Sequence, residues 1–409
     1  AQTDWGDGMS FDEVSDEGST PPERTLELEN VAYWLDEFHL DGFRFDATQS
    51  LLDTSPLHIL AEAASVARRA GGDKMLYLVG ENEPQDAGLV RPATEGGHGL
   101  DALWNDDFHH AATVALTGRR EAYFMDYTGK ARELVACVRH GFLFQGQRYR
   151  WQKKPRGTST RGLPPRAFVS FLENHDQLAN FALGERRSTI AAPGRLRALT
   201  ALLLLAPSTP LLFQGQEWNA STRFTFFADL GRSLEASVKD GRATFLQQFP
   251  RYASPEARDR FPDPASAEVF RSCRLDWRER DEPAHARALA LHRDLLELRR
   301  EDPTLRREGE DGVDVDGAAL ADDLLVLRYS SDDAATERLL VVNLGADHEP
   351  ASISEPLIAP PHGMTWRLAL STDDACYGGG GLRAASPEHD LFLPGQAAAF
   401  FIPTPRQDT

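Results

Sequence analysis

Asp46 and Glu81 each stand at the end of a short, β-rich apolar run, one reading Asp41-Gly42-Phe43-Arg44-Phe45-Asp46-Ala47 and the other Leu78-Val79-Gly80-Glu81-Asn82. Two carboxyl groups of this kind can hydrolyse a glycoside with retention. One, ionised, attacks the anomeric carbon; the other, protonated, assists the leaving oxygen, with the pair held ~5–5.5 Å apart. The period of two along a strand puts Arg44 and Asp46 on one face, where a guanidinium keeps the aspartate ionised. Glu81 follows an apolar strand, and partial burial there raises a carboxyl pKa into the range of a general acid. A third acid, Asp176, lies in Phe171-Leu172-Glu173-Asn174-His175-Asp176-Gln177. Its imidazole neighbour and its carboxylate together can grip sugar hydroxyls as the ring flattens.

Plainer readings exist for each group alone. Arg44 and Asp46 would make an interior ion pair, and His175 a satisfied structural histidine. The segment Trp104-Asn105-Asp106-Asp107-Phe108-His109-His110 places Asp106 and His110 at helical spacing, as metal ligands would be. No third ligand is evident in the sequence, and no cofactor motif accompanies it. The run Gly378 to Gly381 lacks the Lys-Ser/Thr that a phosphate-cradling loop requires.

The acids need elements to carry them. Up to about Arg300, apolar β-rich runs alternate with helix-period segments, the pattern of a parallel sheet or barrel. Val31, Trp34, Leu35 and Phe38 recur at helical spacing before the turn Asp41-Gly42. Further strands are expected at Met75 to Gly80, Ala102 to Trp104, Ala167 to Leu172 and Pro210 to Phe213. Asp46, Glu81, Asp106, Asp176 and Glu217 all fall just past such strands. Any one of them reads equally well as a helix cap, whereas five together read as the C-terminal face of a (β/α)8 barrel. After a helix over Ala284 to Arg300 the texture changes to short alternating strands, among them Leu324 to Tyr329, Arg338 to Asn343 and Ala397 to Ile402. Gly and Pro turns separate them, which predicts an antiparallel β-sandwich. The expected domains are therefore 1–305, catalytic, and 306–409, β-sandwich.

The net charge of −19 over 409 residues argues against nucleic acid or an anionic membrane as partner and leaves a neutral ligand such as sugar. Cys137, Cys273 and Cys376 are odd in number and scattered, so neither a disulfide framework nor a zinc site is expected, and the cytoplasm is favoured. The longest apolar run, Ala198 to Phe213, is broken by Pro207 and Pro210 and is too short to span a bilayer. It predicts a buried helix followed by a buried strand.

The ordered motifs DGFRFDA, VGEN and FLENHDQ resemble the second, third and fourth conserved regions of the alpha-amylase family. That resemblance implies an α/β fold, a (β/α)8 TIM barrel followed by a C-terminal antiparallel β-sandwich. It also implies Asp46 as nucleophile, Glu81 as proton donor and Asp176 as transition-state stabiliser, with Arg44, Phe45, Gln49 and His175 beside the sugar. Within the family the chain is most similar, from TDWGDGMSFD to about Thr304, to members that hydrolyse the alpha-1,4 bond joining a maltooligosaccharide to terminal trehalose. WNDDFHHA, LLFQGQEW, FTFFADL and Cys273 to Trp277 carry this second resemblance, which implies a substrate pocket containing Asp106, Asp107, His109, His110, Gln177 and Asn180.

The family's first conserved region and the strands before DGFRFDA are absent. The resemblance therefore places only the fourth to eighth barrel strands in this chain, and five strands cannot close a barrel. A separate N-terminal fragment or chain is expected to complete it. The rival readings are a glycogen branching or debranching enzyme of the same family and a non-catalytic glucan-binding barrel. Retention of all three carboxylates with Arg44 and His175 counts against the last.

Overall fold

The computed structural model describes residues 2–3, 6–12, 22–181, 183–258, 260–306, 314–330, 333–351, 353–381 and 391–406. The chain divides into two compact units, Ala1–Asp107 with His140–Ser170, and Phe108–Arg139 with Phe171–Thr409.

The first unit is built on β1 (Gly42–Phe45), β2 (Tyr77–Gly80), β3 (Ala102–Trp104) and β4 (Phe168–Phe171), with α1 (Pro22–Glu37) before β1 and α2 (Ile59–Gly71) between β1 and β2. These strands pair in parallel and in sequence order, with Arg44 opposite Val79, Gly80 opposite Leu103 and Trp104 opposite Val169. In the second unit, β5 (Thr209–Leu211) is the next of the expected strands along the chain. Parallel pairing in chain order is what the alternation of strand and helix segments predicts. The inner strands β3 and β4 are buried throughout and β2 from Leu78 onward, with Leu78, Ala102 and Leu103 at 0% exposure, as expected of parallel strands covered by helices. At the entry to β1, Gly42 has φ +151, and a Cβ there would lie 2.0 Å from the Tyr77 carbonyl oxygen; only glycine lets the two strands approach.

Two expectations are corrected. Val31 and Leu35 of α1 are buried, but Trp34 and Phe38 are 38% and 52% exposed and pack on each other at 4.5 Å. Among the described residues β1 has a neighbour in the sheet only on the β2 side, so that part of the helix face has no sheet to cover it. Likewise β5 is half-buried rather than buried.

In the second unit, α3 (Pro193–Leu205) is enclosed on all sides from Ala198 onward, which explains the largely apolar sequence of that stretch. A five-stranded antiparallel sheet contains β6 (Asp314–Ala319), β7 (Leu324–Ser330), β8 (Arg338–Asn343), β9 (Met364–Ser371) and β10 (Ala397–Pro405), in the order β6-β7-β8-β10-β9. Leu324, Val326, Leu339, Val341, Trp366 and Phe401 form its core. Helix α3 is fastened to this sheet: Arg195 donates to the Leu344 carbonyl at 2.7 Å, and the Tyr329 hydroxyl to the Leu205 carbonyl at 2.8 Å. The helix expected over Ala284 to Arg300 is present as α4 (Pro283–Glu301). No helix of the described residues is long and apolar enough to cross a membrane.

Candidate active site

At the C-terminal ends of β1 and β2, two carboxylates meet one cation. Arg44 Nη1 donates to Asp46 Oδ1 at 2.6 Å, and its Nη2 donates to Glu81 Oε2 at 2.5 Å. The parallel register sets this up, because Phe45 stands opposite Gly80 and the chain leaves both strands at the same level. The guanidinium lies 4.2 Å from the ring centroid of Trp104, at the end of β3, so a cation–π contact holds it from below while the carboxylates hold its edge. Ala47 takes a left-handed turn, φ +41, and its N–H donates to Glu81 Oε2 at 3.2 Å. The Glu81 carbonyl accepts from the N–H and the hydroxyl of Thr48 at 2.9 and 2.8 Å, which fixes the backbone that carries the acid. The Asp46 side chain is 74% exposed and that of Glu81 23%. The two carboxyl groups thus differ in exposure, Asp46 open to solvent and Glu81 more enclosed.

Two residues beyond Glu81, a second network begins. The buried Arg156 pairs with Glu83 and stands 3.5 Å from Asp107 and 4.0 Å from Asp106, its guanidinium over Tyr149. Gln152 donates to Glu83 at 2.8 Å, and the Glu83 N–H reaches Gln49 at 3.3 Å. Asp107 is fully buried and accepts the N–H groups of Leu143 and Phe144 at 2.7 Å each. Sequence reasoning missed Arg156 and Trp104. Arg156 sits in a loop with no motif of its own, whereas Trp104 opens WNDDFHHA and was legible as an aromatic at a strand end.

In the second unit, Asp176 lies in the first turn of a short helix, His175–Asn180, capped by the Asn174 side chain on the Gln177 N–H at 2.7 Å. Asn180 donates to Asp176 Oδ2 at 3.1 Å and accepts from Arg242 at 2.8 Å. Arg242 also reaches the Ala179 carbonyl, and it stacks against Phe226 and Phe245. Burial pulls its pKa down, partly offset by Asp176. Arg242 is a further positioning residue that no sequence motif pointed to. Gln177 is buried and accepts from Tyr123 at 3.1 Å, while His175 is exposed.

The resemblance implied that Phe45, Asp107, His109 and His110 meet the sugar; the structure places all four inside. His109 stacks on Phe171 at 5.1 Å, and its Nε2 lies 3.3 Å from both Thr113 and Arg187. His110 is enclosed by Tyr123, Phe124 and Tyr127. Their helix, Asp106–Thr117, is followed through Phe108, Ala111 and Ala112 by side chains of under 2% exposure, so its apolar composition seats the histidines in the core. Among the described residues no group of three His, Cys, Asp or Glu side chains could hold a metal ion.

Burial pushes His109 well below the ordinary imidazole value, with His110 and Arg187 adding to the shift, and burial also lowers His292. The unfolded chain therefore binds more protons than the folded one below an unfolded value of about 6.5. Stability is expected to be fully present above that pH and to fall as the pH drops below it. Urea midpoints measured from pH 7.5 down to 5 check this; a midpoint rising over that interval would contradict neutral burial.

A family model described as "Domain of unknown function (DUF3459)" matches residues 314–400. A malto-oligosyltrehalose trehalohydrolase of Deinococcus radiodurans is 36% identical over 376 residues, which cover 90% of this chain and 57% of that protein. One of Mycobacterium tuberculosis is 32% identical over 401 residues, 95% of this chain and 64% of that protein. Over most of its length the chain is thus related to malto-oligosyltrehalose trehalohydrolases. It spans roughly three fifths of the length of these curated relatives, 57% and 64%. Among solved structures, a Salmonella typhimurium protein provisionally described as an alpha amylase matches with a TM-score of 0.78 and 29% identity, over 98% of this chain and 62% of that one. That likeness agrees with an alpha-amylase-family fold, of which the parallel strands β1 to β4 and the antiparallel sheet β6 to β10 are parts.

Proposed function

We propose that this chain carries the catalytic acids of a retaining glycoside hydrolase that cuts the alpha-1,4 bond beside terminal trehalose in maltooligosyltrehalose and releases trehalose. The observation that carries the reading is the meeting of Asp46 and Glu81 on the Arg44 guanidinium at the ends of adjacent parallel strands. Asp46 attacks the anomeric carbon while Glu81 protonates the departing glycosidic oxygen; Glu81 then takes a proton from water as that water releases the sugar from Asp46. Asp176, oriented by Asn180 and Arg242, holds ring hydroxyls as charge develops. Arg44, Gln49, His175, Asp106, Gln177 and Asn180 shape the site, and the buried Phe45, Asp107, His109 and His110 support it from within. A further part of the barrel, covering the open side of β1 and the exposed Trp34 and Phe38, completes the enzyme. Residues 306–409 form its β-sandwich domain, and the scattered cysteines favour the cytoplasm.

Trehalose joins two glucose units through both anomeric carbons, so its outline beyond the cut differs from that of maltose. Site groups that hydrogen-bond this outline are left unpaired by maltose, at about 1–3 kcal/mol each, enough for roughly ten- to hundredfold discrimination from one contact. The completed enzyme is expected to release trehalose from maltooligosyltrehalose at least about tenfold faster than it cuts a maltooligosaccharide of equal length. Side-by-side assays, with chromatography of the released disaccharide, test this. Equal rates would sink the trehalose specificity, and new alpha-1,6 branches would favour a branching enzyme.

A further inference from the structure

The FTFFADL segment has no part in the chemistry described so far, yet it borders Asp176 in the second unit. Its residues Phe224-Thr225-Phe226-Phe227 divide their side chains between core and solvent. Phe224 packs on Phe213 at 4.9 Å, Phe227 on Phe270 at 5.2 Å, and the buried Thr225 gives its N–H to Cys273 Sγ at 3.4 Å. Phe226 is the one of the four that is exposed, at 38%. Arg242 lies over its ring, 5.1 Å from the centroid. The same Arg242 donates to Asn180 at 2.8 Å, and Asn180 donates to Asp176 Oδ2 at 3.1 Å. Phe226 therefore stands one guanidinium and one amide away from the Asp176 carboxylate.

The backbone that carries the ring is held on both sides. The Phe224 N–H donates to the Gly184 carbonyl at 3.0 Å, and the Ala228 N–H to the Pro264 carbonyl at 2.9 Å. Arg186 Nε donates to the Thr222 carbonyl at 2.8 Å. A ring presented from so fixed a chain loses little freedom when a ligand settles on it. Single exposed aromatics are ordinary on protein surfaces; this one differs in lying against a cation that is itself tied to a site carboxylate. A pyranose suits such a place, because its faces offer apolar C–H groups to an aromatic ring while its rim offers hydroxyls to an amide and a carboxylate. A purely apolar partner would cover Asp176 and Asn180 without giving them hydrogen bonds.

We propose that Phe226 is a stacking platform for a glucose ring of the substrate held at Asp176. Arg242 occupies one face of the aromatic ring and the sugar takes the exposed part, so the guanidinium that orients Asp176 through Asn180 also sets the platform beside it. This deepens the glycosidase reading and rests on it for the identity of the ligand.

Steady-state kinetics of the completed enzyme and of its Phe226→Ala and Phe226→Trp variants on a maltooligosyltrehalose of one defined length test it. Calorimetric binding of the same sugar to each protein in a Glu81→Gln background supplies a readout that needs no turnover. Phe226→Ala is expected to raise KM and weaken binding about tenfold with kcat within about twofold of the parent. Phe226→Trp, which keeps an aromatic face, should stay near the parent in both, and melting temperatures should not change at this exposed position. A fall in kcat at unchanged KM and binding would mean that the ring only steadies Arg242, and would overturn the platform. Unchanged KM and binding in an active Phe226→Ala enzyme overturns it as well and leaves the glycosidase reading intact. If the parent binds the sugar without cutting it and Phe226→Ala weakens that binding, the hydrolytic reading fails and the platform stands; absence of binding to the parent overturns both.

Discussion

Glu81→Gln is expected to lower hydrolysis by the completed enzyme about a hundred- to ten-thousandfold while leaving substrate affinity close to that of the parent. The amide has nearly the shape of the carboxyl, and it can still meet the Ala47 N–H that reaches Glu81 at 3.2 Å. It cannot deliver a proton to the glycosidic oxygen. The loss should therefore fall on kcat rather than KM, and it should shrink for an aryl glycoside whose leaving group departs without protonation. Arg44 would keep Asp46, the partner it holds at 2.6 Å, so the proposed nucleophile stays in place. Steady-state kinetics on both substrate types check this. Near-normal turnover of the natural glycoside would remove Glu81 as the acid.

The second large effect is on stability. Arg156→Met is expected to cost about 3–5 kcal/mol, because removing one member of a buried ion cluster leaves the others charged and uncompensated. Asp107 has 0% exposure and Arg156 2%, so water cannot replace the lost cation. Asp107→Asn in the Arg156→Met background should recover part of the loss, since it removes the stranded charge while its side-chain oxygen can still accept from Leu143 and Phe144. Urea denaturation of the four proteins in this cycle gives the coupling directly. A loss below about 1 kcal/mol in the single variant would mean that the cluster is of the weak, solvent-screened kind.

Much of this architecture was legible because local rules and the fold agree. Asp41-Gly42 marked the turn into β1, and the meeting of Arg44 with Asp46 on one face followed from the strand period. The unbroken apolar run from Ala198 read correctly as an enclosed helix. Other features misled for an identifiable reason. Trp34 and Phe38 have the spacing of a buried face, yet burial depends on whether a neighbouring element exists, and no local pattern encodes that. His109 and His110 look like polar site residues beside two aspartates, but the aromatic rings that enclose them come from Tyr123, Phe124, Tyr127 and Phe171.

By itself, then, the sequence determined which residues could do the chemistry and that strands would present them, since residue type and strand or helix period are properties of short segments. The tertiary structure alone decided which groups meet. That Arg44 bridges Asp46 and Glu81 depends on the register of β1 against β2. That Arg156 gathers Glu83, Asp106 and Asp107, and that Arg242 stands behind Asn180 and Asp176, depends on chain returns of roughly fifty residues and more. Contacts of that separation are chosen by the packing of the whole core, where the energy of burying each charge depends on partners that the neighbouring sequence does not contain.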